Sequence, residues 1–316
     1  MVRETFKEID SKKILDVSIG TFRISKEYMK RMKNNRKNSL ILNYPFQCQD
    51  GVYSYPLDEN SKMLEYMKNL ILEYVEESKI FYRGEKMKKV LITGATSGIG
   101  LAISKKMLDM GYSVYGVGRD FSKIDIASSN FYPIICDLIK YQNIEGMVKK
   151  LKKEVDIDIL INCAGVGYFG PHEEINPTKL HKMIALNLEA PLILTRLLLR
   201  DLKKRKGTVI NISSITATKA STYGCAYSAT KAGLVHFSKG LFDEVRKTGV
   251  KVISILPDIT KTPFYDELNF REGEEEESYI LPECVADAVE NILSQREGTV
   301  ITEIILQPQK HIIRKK

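Results

Sequence analysis

The sequence predicts an α/β fold: a doubly wound parallel sheet of about seven strands, with an amino-terminal appendage. Three observations carry this. From Met87 onward, short apolar runs alternate with amphipathic stretches. The runs lack polar alternation, as strands covered on both faces require. Apolar residues make up 43% of the chain and mean hydropathy is −0.19, the balance of a core-forming protein.

Composition and pattern change near Met87, which divides the chain into an extension, 1–86, and a main domain, 87–316. In the extension, "ILDVSIG" is a candidate strand. "NSKMLEYMKNLILEYVEES" puts Met63, Leu64, Met67, Leu70, Ile71, Tyr74 and Val75 at helical spacing, with Asn60, Ser61 and Glu65 as entry signals. The stretch between, "LNYPFQCQDGVYSYPLDEN", reads as turn-rich. The extension is expected to pack on the main domain or on a partner subunit.

In the main domain "KKVLIT", 88–93, is the first strand, and a helix follows from about Gly98 to Met110. "YSVYGVG", "FYPIIC" and "IDILIN" are the second, third and fourth strands. "GTVINIS", "GVKVISIL" and "GTVITEIIL" are the fifth, sixth and seventh. The polar stretch "YDELNFREGEEEESY" is expected to be a loop covering the substrate, with Glu274–Glu277 equally readable as a solvated segment.

Composition also excludes classes. No run approaches the ~18 apolar residues of a membrane span, and the charged start "MVRETFKEIDSKK" is no secretory signal. A cytoplasmic protein is expected, with no membrane partner. Cys48, Cys136, Cys163, Cys225 and Cys284 form no CxxC pair. His172, His181, His236 and His311 lack ligand spacing, so no metal site is expected. The net charge of +8 is spread along the chain, and the basic stretch 23–38 carries no recognised nucleic-acid motif. An anionic cofactor or substrate suits that charge better than nucleic acid does.

Two stretches carry chemistry. In "VLITGATSGIGLAI" a strand ends, glycines follow at 94, 98 and 100, and a helix begins. A helix amino terminus offers unpaired N–H groups and a positive dipole end. A pyrophosphate fits there when glycines let the backbone approach. In "CAYSATKAGL", Tyr227 and Lys231 stand four apart and share a helix face. An ammonium near a phenol stabilises the phenolate, making an acid–base group for a carbonyl or alcohol oxygen.

"TGATSGIG" resembles the cofactor turn of the short-chain dehydrogenases/reductases, and other motifs agree. "INCAG" resembles the family's Asn-x-Ala-Gly turn, "CDLI" its adenine-contacting aspartate, and "YSATK" its Tyr-x-x-x-Lys. The resemblance spans about Met87 to the carboxyl terminus. It implies a Rossmann-type fold and a catalytic set of Asn187, Ser214, Tyr227 and Lys231, with Ser213 the runner-up serine. The resemblance further implies that Lys231 bonds the nicotinamide ribose and that Asn187 supports a water path from Lys231.

Expected cofactor contacts begin with Gly94, Thr96, Ser97, Gly98, Ile99 and Gly100 in the turn. Asp137, Leu138, Asn162, Ala164 and Gly165 follow. Pro257, Ile259 and Thr262 come after strand six, where Asp258 replaces the family's glycine. Gly118 stands where NAD-type members carry an acid, and Arg119 follows with a guanidinium suited to a 2′-phosphate. NADP(H) is expected to be preferred. NAD(H) is the alternative, with Asp120 taking the ribose.

The tail resembles the subgroup containing serine and 3-hydroxy-acid dehydrogenases. The implied activity is hydride transfer between the nicotinamide and a small alcohol or carbonyl. A 3-hydroxy acid is slightly favoured over a ketoacyl thioester or a steroid-like alcohol. Tyr168, Phe169, Tyr223, Phe264 and Tyr265 are the expected pocket residues. The alternative is a dinucleotide-binding scaffold or sensor whose extension docks a partner; the presence of all four catalytic residues favours the enzyme. A homodimer or homotetramer is implied by resemblance.

Overall fold

The computed structural model describes residues 87–316 and, within the extension, the strand segments 14–18, 21–25, 47–49 and 52–56. The chain divides into two compact units, Met1–Lys86 and Met87–Lys316.

In the first unit, β1 (Ile14–Ser18), β2 (Thr21–Ser25), β3 (Gln47–Gln49) and β4 (Val52–Pro56) form an antiparallel sheet in the order β1-β2-β4-β3. β1 lies in the candidate strand. β3 and β4 correct the turn-rich reading of that stretch. Their two-residue separation holds Asp50-Gly51, a strong hairpin signal that the prolines and polar residues around it obscured. The helix expected from about residue 60 lies outside the described residues.

The second unit is built on β5 (Lys89–Thr93), β6 (Ser113–Gly118), β7 (Phe131–Ile135), β8 (Ile159–Asn162), β9 (Thr208–Ile212), β10 (Lys251–Pro257) and β12 (Glu303–Leu306). They form one parallel sheet in the order β12-β10-β9-β8-β5-β6-β7. All seven expected strands are present. The last is shorter than its apolar run, beginning at Glu303. The order reverses between β5 and β8, and a reversal of this kind opens a crevice at the carboxyl ends of the strands.

Strand alternation sorts the core into two layers. Leu91, Leu160, Val209 and Val252 meet one layer, which α2 (Tyr141–Glu154), α4 (Ala190–Arg205) and α5 (Cys225–Val245) complete with Ile144, Leu194, Leu198 and Leu241. Val90, Ile92, Ile161, Ile210 and Ile253 meet the other. There Ile103 and Met107 of α1 (Gly98–Asp109) pack with Val285 and Val289 of α6 (Pro282–Leu293). Most of these side chains have no exposed surface, and each contributes about 1.5–3 kcal/mol by burial. Before α4, α3 (Pro177–Ile184) opens on Asn176, whose side chain accepts from Thr178 N–H at 2.7 Å. A π-helical turn, Ala185–Glu189, joins α3 to α4 and carries Asn187.

The acidic stretch after β10 is structured. β11 (Phe270–Glu272) pairs antiparallel with β13 (Ile313–Lys315), so the segment expected as a loop is tied to the carboxyl-terminal tail. Its glutamates meet tail cations: Lys310 lies 2.7 Å from Glu275 and 2.8 Å from Glu277, and Arg314 pairs with Glu274.

Candidate active site

Above the carboxyl edge of the sheet lies a cavity of about 1410 Å³. It exceeds the roughly 300–1,000 Å³ of a small-ligand pocket, leaving room for a dinucleotide and a second molecule.

One end is built by the glycine turn. Gly94, with φ +70°, lies so close to the 163–165 turn that a Cβ would sit 2.9 Å from the Ala164 Cα. A Cβ on Gly98 (φ +50°) would come within 3.0 Å of the Thr262 methyl, and one on Gly100 would strike the Gly94 carbonyl. Thr96, Ser97 and Ile99 complete this wall. The first N–H groups of a helix have no intrahelical partner. The α1 start, which these residues form, is therefore an anion cradle that side chains would fill. That is the fit a pyrophosphate requires.

Thr93 holds the facing turn: its hydroxyl accepts from the N–H groups of Cys163 and Ala164, both at 3.0 Å. Ala164 and Gly165 line the cavity, as do Asp137 and Leu138 beyond β7 and Pro257, Ile259 and Thr262 beyond β10. Asn162 does not. Its buried amide donates to Asn211 at 2.8 Å, behind the wall, because the last residue of β8 points into the sheet's polar seam.

At the β6 end, Gly118 packs against Thr96, whose methyl occupies the place a Cβ would need. Arg119 is exposed on the cavity wall, and its guanidinium has no ion-pair or hydrogen-bond partner among the described residues. The Asp120 carboxylate accepts from Ser122 N–H at 2.8 Å and its hydroxyl at 3.0 Å. These bonds hold its pKa below the usual aspartate value.

At the other end, α5 brings Tyr227 and Lys231 to the cavity, both buried. Lys231 Nζ donates to the Ile212 carbonyl at 3.0 Å and lies 5.8 Å from the centre of the Tyr227 ring. Ser214 hydrogen-bonds the Tyr227 side chain. The Ser213 hydroxyl donates to the Lys231 carbonyl at 2.9 Å, so the two serines serve different partners, as strand alternation predicts. Asn187 lies behind the wall, fully buried. Its Oδ1 accepts from Val166 N–H and its Nδ2 donates to Val166 C=O, each at 2.8 Å. Nδ2 also donates to the Thr230 hydroxyl at 3.2 Å, one residue before Lys231.

The electrostatics differ from the simple expectation of a phenol acidified by lysine. Burial pushes the Tyr227 phenol up to about 12, against the opposing Ser214 hydrogen bond. Burial brings the Lys231 ammonium down to about 8, so at neutral pH the charged form still dominates. Desolvation is the largest cause for both groups.

Aromatic rings enclose Tyr227: Phe169 at 5.3 Å and Phe264 at 5.9 Å between centroids. Tyr168, Tyr223 and Tyr265 also line the cavity. Sequence reasoning missed Asn269 and Phe270 of the β11 segment and Gln307, His311, Ile313 and Lys315 of the tail. Their signal was the charge match between the acidic run 274–277 and the basic tail 310–316.

These positions match a known architecture. A family model described as short chain dehydrogenase matches residues 88–273. The chain belongs to the short-chain dehydrogenase family. One relative of this short-chain dehydrogenase is an uncharacterized oxidoreductase of Staphylococcus epidermidis, 32% identical, the match covering 71% of this chain and 98% of the relative. A serine 3-dehydrogenase of Rhizobium radiobacter is 35% identical over 55% of this chain and 73% of its own. An alcohol dehydrogenase of Thermococcus sibiricus, solved with 5-hydroxy-NADP, superposes with a TM-score of 0.65 at 25% identity, covering 71% of this chain and 97% of that one. The short-chain dehydrogenase described here is thus an NAD(P)-dependent oxidoreductase. Among its described residues no helix is long and apolar enough to cross a membrane, and no group of three acidic, histidine or cysteine residues is placed to hold a metal.

Proposed function

We propose that the protein moves a hydride between NADP(H) and a small alcohol or carbonyl compound, with a 3-hydroxy acid as the substrate. The observation that carries the cofactor choice is the state of three neighbouring residues. Asp120 is committed to Ser122, Gly118 leaves no room for an acid beside Thr96, and Arg119 on the cavity wall is unpaired among the described residues. A guanidinium in that position grips a 2′-phosphate by two hydrogen bonds. The solved alcohol dehydrogenase with 5-hydroxy-NADP supports the same choice, and the serine 3-dehydrogenase supports the substrate class.

Hydride chemistry would come from a nicotinamide cofactor when bound. The chain's own residues handle the proton and the charge. In the reductive direction Tyr227 gives its phenolic proton to the carbonyl oxygen, and the Ser214 hydroxyl holds that oxygen as charge develops. Lys231 stabilises the phenolate left behind. Asn187 fixes the backbone of Val166 and, through Thr230, the helix carrying Lys231. The aromatic rings around Tyr227 exclude water from the exchange. A cytoplasmic homodimer or homotetramer belongs to this reading.

The test is oxidation of NADPH and of NADH by the full-length protein against a panel of aldehydes, ketones and semialdehydes. NADPH-linked turnover of a small oxo compound is expected. Cofactor binding without turnover of any member, in either direction, would favour the scaffold or sensor instead.

A further inference from the structure

The tail supplies something the catalytic constellation lacks. After β12 it turns back across the cavity and is held at three places. Asp258, buried where the family has glycine, accepts from Gln307 Nε2 at 3.2 Å, and its Oδ2 lies 3.4 Å from His311 Nδ1. β13 pairs with β11 through Phe270↔Lys315, Arg271↔Arg314 and Glu272↔Ile313. The Lys316 ammonium donates to the carbonyls of Tyr265 and Asp266, both at 2.6 Å. The acidic segment and the tail thus form one composite roof.

Strand alternation decides which side chains of that roof face the cavity. Ile313 and Lys315 line it; Arg314, between them, pairs with Glu274 instead. On β11, Phe270 lines it and Arg271 does not. Arg314, Lys310 and Lys316 all have side-chain partners. The side chain of Lys315 has none among the described residues. Its register partner Phe270 touches Phe169 at 5.1 Å, and Phe169 touches Tyr227 at 5.3 Å. Among the described residues, an unpaired cation therefore stands one aromatic ring beyond the ring that packs on the phenol.

We propose that Lys315 is the specificity-determining residue for the substrate's carboxylate, holding the anionic end of a hydroxy or oxo acid while the aromatic rings hold its body. The assignment rests on the reaction proposed above and adds the group that selects charge. A neutral substrate of the same size lacks this contact, and the charge-assisted hydrogen bond between ammonium and carboxylate discriminates against it.

The experiment compares a 3-hydroxy acid with its methyl ester on the full-length protein, as wild type, Lys315→Gln, Lys315→Arg and Lys219→Gln. Lys219 is another cation on the cavity wall. The wild type is expected to prefer the acid at least tenfold in kcat/KM. The acid-to-ester ratio is expected to fall at least tenfold in Lys315→Gln, chiefly through KM for the acid, and to recover in Lys315→Arg. A ratio that stays at the wild-type value in Lys315→Gln overturns the assignment, as does one that falls in Lys219→Gln alone. If the wild type turns over neither compound, the reaction fails and the anion site is read separately. Saturable quenching of bound NADPH fluorescence by the acid, lost in Lys315→Gln, then supports it. No such response, or one unaffected by the substitution, overturns it.

Discussion

The Lys231 ammonium donates to the Ile212 carbonyl at 3.0 Å, tying the first half of α5 to the last residue of β9. The bond holds the cation at a buried position, 4% exposed. Burial therefore brings its pKa down to about 8, below the ordinary lysine value. The unfolded chain then keeps this proton to higher pH than the folded one. Stability rises with pH wherever the unfolded state binds more protons, here between about pH 8 and ~10.4. Lys231→Met removes the titrating group. Between about pH 7 and about pH 10, wild type should gain on the order of 1–3 kcal/mol relative to the variant. Urea unfolding at the two pH values measures this; a constant difference would mean that the ammonium is not desolvated as the geometry implies.

Among the described residues Arg119 stands unpaired, beside a glycine that cannot be replaced by an acid without displacing Thr96. Arg119→Gln should lower the NADPH-to-NADH preference, in kcat/KM, by about tenfold or more, the worth of one lost charge-assisted pair. A preference that does not move would assign the cofactor choice to other residues.

Asn187 makes three hydrogen bonds from a fully buried position inside the π-helical turn. Asn187→Ala leaves both polar backbone groups of Val166 without that partner. A loss of about 2–4 kcal/mol is expected, since each buried orphan costs roughly 1–3 kcal/mol. Thermal and urea melts check it, and a loss well under 1 kcal/mol would mean that water or relaxation replaces the contacts.

Asp258 anchors the tail through Gln307 and His311. Asp258→Ala should speed tryptic cleavage after Lys310 and Arg314 at least severalfold, because local opening controls access. Mass spectrometry of a cleavage time course reads this directly. Equal cleavage rates would show that β13 pairing alone holds the tail.

Much of this was legible in the sequence, for physical reasons. Doubly covered strands are apolar throughout, so β5, β6, β8, β9 and β10 read clearly. The glycine turn and the Tyr227–Lys231 spacing obey local backbone rules, which a sequence displays. What did not read was long-range. β11 and β13 are three residues each and pair across about forty positions, too short and too distant for periodicity to expose. Asp258 looked like a departure from a glycine turn, whereas its partners Gln307 and His311 lie some fifty residues on. Asn162 was expected at the cofactor because its turn resembles the family's; its side-chain amide donates to Asn211. The rise that burial imposes on the Tyr227 phenol was not legible either, since spacing reveals neighbours but not desolvation.

In the proposed reaction Tyr227 is the proton donor and acceptor beside the nicotinamide. The most direct test is single-turnover kinetics of Tyr227→Phe with NADPH and the best oxo acid of the panel. The hydride step should slow by about 10²–10⁴-fold, the usual worth of a positioned acid, while NADPH affinity stays within about threefold of wild type. A hydride step at the wild-type rate, with cofactor bound, would contradict the account.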